Sequence, residues 1–145
     1  MTLYKPDLAN NIDDDIVGIA GALTELDGSE MEFDYNANGY FVKFGNGLLV
    51  CFHKLQLTYN ITTHLRTTWT YPHAFHAAPE ALSVTPSDTS TSFTPAKTEI
   101  SYIGGDVEGT TTTSILIAMY RGFGLTNFQA GDTCYVRVIA VGRWK

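Results

Sequence analysis

Four histidines, at positions 53, 64, 73 and 76, are the residues of this 145-residue chain that could bind a transition metal. Imidazole nitrogens are common ligands of zinc and similar ions. His73 and His76 lie three residues apart after Pro72, in a stretch that the proline marks as a loop. A role in turns and in packing beside Phe75 accounts for this pair without a metal. We therefore expect no metal site and no cofactor.

Asp106 and Glu108 are the candidates for acid–base chemistry. Glycosidases use two carboxyl groups about 5 to 10 Å apart, and residues two apart share one face of a β-strand. The surrounding glycines favour a loop instead, where a solvated acid pair or a calcium-binding loop fits equally well. The chain has no Gly-x-Ser-x-Gly and no His-Glu-x-x-His motif. We expect no catalytic residues and no enzymatic activity.

Loops rich in uncharged polar residues and carrying single aromatics favour binding over catalysis. Three long connections are predicted, at residues 86–96, 104–113 and 121–132. Functional residues concentrate on loops held by a rigid scaffold, and aromatic and Arg side chains dominate recognition energies. The candidate receptor-binding residues are Phe93, Tyr102, Asp106, Glu108, Arg121, Phe123 and Phe128. The alternative for Phe123 and Phe128 is that they turn inward and close the ends of the fold.

The elements that must position these loops are β-strands. From residue 30 onward the apolar pattern has a period of two, as in Tyr40, Val42 and Phe44. Asn46-Gly47 predicts a tight hairpin turn, because that turn needs positive φ at both central positions. About eight strands joined by turns, without helices between them, predict an all-β antiparallel β-sandwich, a jelly-roll-like knob over residues 30–145.

Residues 1–29 carry the chain's single helical pattern. Spacings of four, three, four and three residues keep one apolar seam on a helix. Ile at both a and d positions shifts the preference towards three or more strands. We expect a short N-terminal α-helix that trimerises as the end of a stalk, through Ile12, Ile16, Ile19, Leu23 and Leu26. The alternative is an amphipathic helix packed on its own β domain.

Composition excludes several classes of function. The formal net charge is −6, and no Lys/Arg cluster is present to neutralise phosphates, so we expect no nucleic-acid partner. No run approaches the ~18 apolar residues of a membrane span, so we expect no membrane insertion. The N-terminus lacks a signal-peptide pattern, which predicts synthesis in a cytoplasm. Cys51 and Cys134 lie in apolar strand patterns; buried free thiols are favoured there, and a disulfide stays open.

Four sequence features, taken in order, point to a known family. Residues 36–44 read Asn-Ala-Asn-Gly-Tyr-Phe-Val-Lys-Phe and precede a glycine-bearing hairpin and Cys51. Residues 68–75 read Thr-Trp-Thr-Tyr-Pro-His-Ala-Phe and precede Ala-Pro-Glu, and residues 138–145 read Val-Ile-Ala-Val-Gly-Arg-Trp-Lys. From about residue 36 to the end, this resembles the C-terminal receptor-binding (tip) domain of tailed-bacteriophage tail fibre proteins. That family's pattern runs NGxYVRFxDG…C…TWTFPxxFxxxP…AIGRW.

The resemblance implies a homotrimeric fibre tip on the virion that attaches to a bacterial surface glycan or outer-membrane protein, without catalysis. Its recurrent motif positions imply a place in the core or the trimer interface for Trp69, Tyr71, Phe75 and Trp144. Paired histidines that hold iron in phage fibres have His-x-His spacing, which this chain lacks. Such domains usually end a long chain, so we expect either a separate tip protein or a fibre fragment, joined to other virion proteins through the N-terminal segment. The alternative function is a structural fibre component or assembly adaptor that mainly trimerises.

Overall fold

The computed structural model describes residues 31–87 and 92–145, and the predicted helix with its Ile/Leu seam lies outside these ranges. The described part contains eight β-strands and two single-turn 3₁₀ helices, at Lys97–Glu99 and Val107–Gly109. The strands are β1 (Glu32–Asn36), β2 (Gly39–Lys43), β3 (Leu48–Ile61), β4 (His64–Thr70), β5 (Ala81–Pro86), β6 (Ile100–Asp106), β7 (Ser114–Arg121) and β8 (Thr133–Arg143). Within these residues no helix is long and apolar enough to cross a membrane.

All strand pairs are antiparallel, and the long strand β3 organises them. One layer has the order β1-β2-β3-β8-β5, and the other has the order β4-β7-β6. The last residues of β3 pair with the start of β4 through Tyr59–Leu65 and Ile61–His64, and this hairpin joins the two layers. The prediction of an all-β antiparallel sandwich is therefore confirmed.

The hairpin predicted from Asn46-Gly47 is present between β2 and β3. Gly47 has φ +95°, a backbone conformation that favours glycine, and the Leu48 amide donates to the Asn46 side chain at 3.0 Å. Gly39, with φ +123°, makes the β1–β2 turn. A Cβ on Gly39 would collide with the Phe52 carbonyl oxygen, so this position requires glycine for both backbone and space.

The core lies between the layers and follows the alternation predicted from the sequence. On β3, Leu49, Cys51, Leu55 and Leu57 are buried, while Lys54 is exposed. The even-numbered residues of β8, from position 134 to position 142, are buried in the same way. Apolar side chains of β4 and β7 fill the other side, and each such fully buried side chain contributes roughly 1.5–3 kcal/mol.

Both cysteines are buried free thiols, as the sequence favoured. Cys51 pairs in register with Ala140, and Cys134 pairs with Leu57, which lies six residues further along β3. Six residues of strand span roughly 20 Å, and a disulfide requires Cα atoms less than about 7 Å apart. The register therefore excludes a bond between Cys51 and Cys134 within one chain.

Trp69, Tyr71 and Phe75 form an aromatic chain in the core. The Trp69 and Tyr71 rings are edge to face with centroids 5.1 Å apart, and Tyr71 meets Phe75 in the same way at 4.9 Å. The Trp69 indole donates to the Asn38 carbonyl at 2.9 Å, which ties the core to the β1–β2 turn. Trp144 is partly buried against the core. The structure thus places all four motif aromatics in or against the core of their own chain.

The two ends of the sandwich differ. At the first, which we call the attachment end, β1 begins and β8 finishes: Lys43 forms an ion pair with Glu32 at 2.9 Å, and its amine lies 4.5 Å from the Trp144 ring. At the opposite end, which we call the loop end, residues 122–132 pack on the β3–β4 turn. There the Phe128 amide donates to the Thr62 carbonyl at 2.9 Å.

Candidate functional site

The outer face of β4, β7 and β6 carries a cluster of aromatic and charged side chains that begins near the loop end. Strand register aligns His64, Tyr120 and Tyr102 in one row across the three strands. The His64 and Tyr120 rings are 4.7 Å apart, and the Tyr120 and Tyr102 rings are 6.0 Å apart. The next row contains Arg66, Ala118 and Gly104, two of which have little or no side chain. Small residues beside aromatic ones make a shallow surface in which a ring is accessible.

Tyr102 lies over Gly104. A Cβ built on Gly104 would meet the Tyr102 hydroxyl at 2.6 Å and its ring carbon Cζ at 2.9 Å, so only glycine leaves room for this ring position. The hydroxyl donates to the Gly105 carbonyl at 2.7 Å, which fixes the ring against the sheet. The side chain is still 47% exposed. The outward side of the ring is therefore a fixed and accessible aromatic surface.

Arg66 and Asp106 supply charge beside this ring. Arg66 starts on β4 and Asp106 on β6, and their ion pair, 3.9 Å from Nη1 to Oδ2, crosses the intervening strand β7. Asp106 is held further by the Glu108 amide, which donates to its Oδ1 at 3.1 Å. Both charged side chains are only partly exposed. The pair places donors and acceptors next to the Ala118 and Gly104 positions.

His64 closes the row and is largely buried, at 7% exposure. Its Nδ1 lies 3.0 Å from the Thr63 hydroxyl, while its Nε2 has no hydrogen-bond partner among the described residues. Burial lowers the pKa of His64, the positive charge of Arg66 lowers it further, and Asp106 acts in the opposite direction. The imidazole is therefore neutral near pH 7.

The structure brings together two of the predicted receptor-binding residues, Tyr102 and Asp106, and separates the others. Asp106 was predicted in a loop, but β6 extends through it, so that connection begins later than predicted. Glu108 is exposed in the following 3₁₀ turn. Arg121 is partly buried and donates to the Thr62 and Gly122 carbonyls, at 3.3 and 2.8 Å. It holds the loop end together.

The three predicted phenylalanines have different environments. Phe123 is fully exposed at the loop end. Phe128 is completely buried, so its prediction as a receptor-binding residue is wrong, and the inward alternative holds. Phe93 is half-buried and packs against Phe128 with centroids 6.0 Å apart. Phe123 alone of these three is available to a partner.

Arg66 and Tyr120 belong to the cluster although sequence reasoning did not select them, and it considered His64 as a metal ligand only. Alternation along β4 and β7 puts these residues on the outer face, but only the β4–β7 register shows that they are neighbours. Among residues 31–87 and 92–145, no group of three His, Cys, Asp or Glu side chains could hold a metal ion. His73 and His76 lie apart from this cluster, in the segment between β4 and β5.

A second surface, on the outer side of β1, β2 and β3, is aromatic. The Tyr40 ring stacks with those of Phe33 and Phe52, with centroids 6.0 and 5.4 Å apart, and meets the Tyr35 ring at a tilt with centroids 5.6 Å apart. Register continues this row from Phe52 to Ile139 on β8, which is 42% exposed. All five residues of β1 are exposed. We call this surface the aromatic face; contiguous exposed apolar surfaces of this kind mark interaction sites.

Comparisons with known proteins bear on the fold. The chain is similar to the N-truncated R1-type pyocin tail fibre, with 21% identity over 85% of this chain and 94% of that one and a TM-score of 0.55. A longer C-terminal piece of the P. aeruginosa R1 pyocin fibre is 19% identical over 79% of this chain and 29% of that one, with a TM-score of 0.48. The tailspike protein gp49 of Pseudomonas phage LKA1 is 15% identical over 68% of this chain and 15% of that one, with a TM-score of 0.45.

No family model matches the chain, and no curated protein matches it. The fold argument therefore rests on the first of these structures. At this level of identity, the likeness concerns the path of the backbone and not the residues of a site. The described part of the chain has a fold similar to that of the R1-type pyocin tail fibre.

Proposed function

We propose that this chain is the receptor-binding part of a phage-type tail fibre, which attaches a virion to a glycan or an outer-membrane protein on the host surface without catalysis. The observation that carries the proposal is the difference between the two ends of the sandwich. β1 begins at the attachment end, while the exposed Phe123 and the aromatic row that contains Tyr120 and Tyr102 lie towards the loop end. A domain attached at one end and carrying its binding groups at the other suits the tip of a fibre.

The likeness to a pyocin tail fibre supports this reading at the level of fold. The loop end also has the physical properties of a recognition surface. Phe123 and the half-exposed Leu125 are large apolar groups that the fold of this chain leaves uncovered. Arg121 and the Phe128 amide hold the loop that carries them, so a partner would meet a partly ordered surface.

We also propose that the chain acts as a homotrimer, joined through the aromatic face. A strand that is exposed over its whole length, as β1 is, gains little stability from its own chain, and its Phe33 and Tyr35 remain in water. Packing against other copies would bury them. The Ile/Leu seam predicted in residues 12–26 would supply a second contact between the copies. The trimer would multiply weak binding at each site.

The test is direct binding of the fluorescently labelled full-length chain to a panel of Gram-negative cells. The panel includes P. aeruginosa, because the R1 pyocin fibre comes from that organism. We expect saturable binding to some strains and not to others, with unlabelled chain competing. An oligomeric, folded chain that binds no strain would contradict receptor binding. That result would favour a structural fibre component or assembly adaptor, the function that the aromatic face alone would serve.

A further inference from the structure

We propose that the surface formed by Tyr102, Arg66 and Asp106 binds one neutral pyranose unit of a surface glycan. This inference rests on the proposed receptor-binding function and names the ligand class and the residues. The unit would stack on the outward side of the Tyr102 ring, with its hydroxyl groups hydrogen-bonded to the Arg66–Asp106 pair. We call these three residues the sugar platform.

Tyr102 can stack on a sugar because its ring is both exposed and fixed in position. A pyranose has an apolar face of C–H groups, which suits an aromatic ring whose own apolar face is available. Tyr102 is 47% exposed, and its hydroxyl is fixed by Gly105 at 2.7 Å. The ring therefore loses little rotational freedom when a ligand binds, which lowers the entropic cost of binding. Gly104 is essential because any side chain there would displace the ring.

The Arg66–Asp106 ion pair can form hydrogen bonds with the hydroxyl groups of the sugar. An Arg guanidinium has five N–H donors, and a carboxylate accepts at several lone-pair positions. At 3.9 Å the Arg66–Asp106 contact is long, and it leaves most of these groups free. Sugar hydroxyls both donate and accept, so they match a mixed pair of this kind. Arg66 is in register with Ala118, and Ala118 with Gly104, over which the Tyr102 ring lies.

Charge balance selects the class of sugar. The two opposite charges compensate, and the neighbouring His64 is neutral because burial lowers its pKa. An anionic sugar would gain from Arg66 but would be repelled by Asp106 and by the exposed Glu108. A neutral pyranose keeps the ion pair intact. We therefore assign the platform to a neutral hexose or deoxyhexose unit.

The test uses saturation-transfer NMR on the full-length chain with the methyl glycosides of glucose, galactose, mannose and rhamnose. At least one should receive saturation from aromatic protons. Tyr102→Ala should weaken its binding at least about tenfold, because it removes the aromatic surface on which the sugar stacks. Tyr102→Phe keeps the ring and should change the affinity less than about threefold. Tyr102 lies on an outer face, so we expect both variants to fold, and thermal unfolding checks this.

Gly104→Ala is the decisive variant, because it deletes no binding group. Its Cβ would displace the Tyr102 hydroxyl, so sugar binding should fall as it does in Tyr102→Ala. Cell binding, to which other contacts also contribute, is measured in parallel. Sugar binding unchanged in both variants would overturn the platform, as would binding of methyl glucuronide alone. If the wild type binds cells but none of the glycosides, the platform is wrong while receptor binding stands. If the wild type binds neither cells nor any glycoside, both proposals fail.

Discussion

The Tyr40 ring stacks on the Phe52 ring with centroids 5.4 Å apart and planes only 12° from parallel, on a surface that faces away from the core. Strand register continues this contact to Tyr35 on one side and to Ile139 on the other. Four strands thus present one apolar row to the outside of the chain. A row of this kind stabilises a subunit contact better than it stabilises a single chain in water.

The first prediction concerns that contact. The full-length chain should have a solution mass of three times the 15.9 kDa of one copy, measured by light scattering. Tyr40→Asp places a charge in the aromatic face and should shift the equilibrium towards monomer, since a buried unpaired charge is strongly unfavourable. Thr70→Asp, on the outer face of β4, is the matched control and should leave the mass unchanged. A wild-type monomer at all concentrations would contradict the trimer.

The second prediction separates two phenylalanines of the same loop. Phe128→Ala should destabilise the fold by about 3–5 kcal/mol, the usual effect of emptying a buried aromatic site. Phe123→Ala should change stability by less than about 0.5 kcal/mol, because the side chain is fully exposed. Urea unfolding measures both. Equal losses of stability in the two variants would show that Phe123 is also packed.

The same pair separates folding from recognition. Phe123→Ala should weaken cell binding while leaving the unfolding midpoint unchanged, since Phe123 is the large apolar group that the loop end exposes most. Wild-type cell binding by a folded Phe123→Ala chain would remove this loop from the receptor site.

The third prediction concerns thiol chemistry. Burial raises the pKa of Cys51 to about 12 and that of Cys134 to about 11, so neither is a thiolate near pH 8. Iodoacetamide should therefore alkylate neither residue in the native chain over hours, and both within minutes in concentrated guanidinium. Mass spectrometry counts the added groups. Rapid labelling of the native chain, or a disulfide joining the two residues, would contradict the register of β3 and β8.

The fourth prediction concerns pH. Because the pKa of folded His64 is lowered below its unfolded value of about 6.5, the unfolded chain binds a proton there that the folded chain does not. The contribution of His64 to stability is therefore present above about pH 6.5 and is lost as the pH falls below that value. The unfolding midpoint of wild type should drop between pH 7.5 and pH 5.

His64→Phe isolates this effect, because phenylalanine keeps a ring beside Tyr120 but does not titrate. Its midpoint should fall less over the same pH range than that of wild type. An identical pH slope in His64→Phe and wild type would show that His64 is not the titrating group.

The sequence predicted the strands and their buried faces well, because both depend on local patterns. Alternation along β3 puts the odd-numbered residues from 49 to 59 on one face. Leu49, Cys51, Leu55 and Leu57 of this face are buried in the core, while His53 and Tyr59 are partly buried. Asn46-Gly47 identified the position of the turn, but not its type: the Gly47 amide donates to the Phe44 carbonyl at 2.9 Å, so Gly45 and Asn46 are the central residues and Gly47 follows them with positive φ. The N-terminal seam of Ile and Leu residues stays a prediction.

The candidate site was harder to predict, because it depends on which strands are neighbours. Tyr102 was selected from the sequence, but Arg66 and Tyr120 are far apart along the chain, and only the β4–β7 register places them in adjacent rows of one face. The position of Phe128 was also beyond local reasoning, since a loop has no periodicity that separates inward from outward side chains. Its burial depends on Phe93, from a different connection.

The chain enters and leaves the sandwich at one end, where Lys43 contacts both Glu32 and Trp144. Residues 122–127 lie at the other end and are not needed to close this contact. Insertions, deletions and exchanges in residues 122–127 would change the side chains exposed at the loop end, while the contacts of Lys43 at the attachment end stay the same. Under the proposed receptor-binding function, replacement of this loop alone would change the receptor that is recognised and leave the rest of the fold as it is.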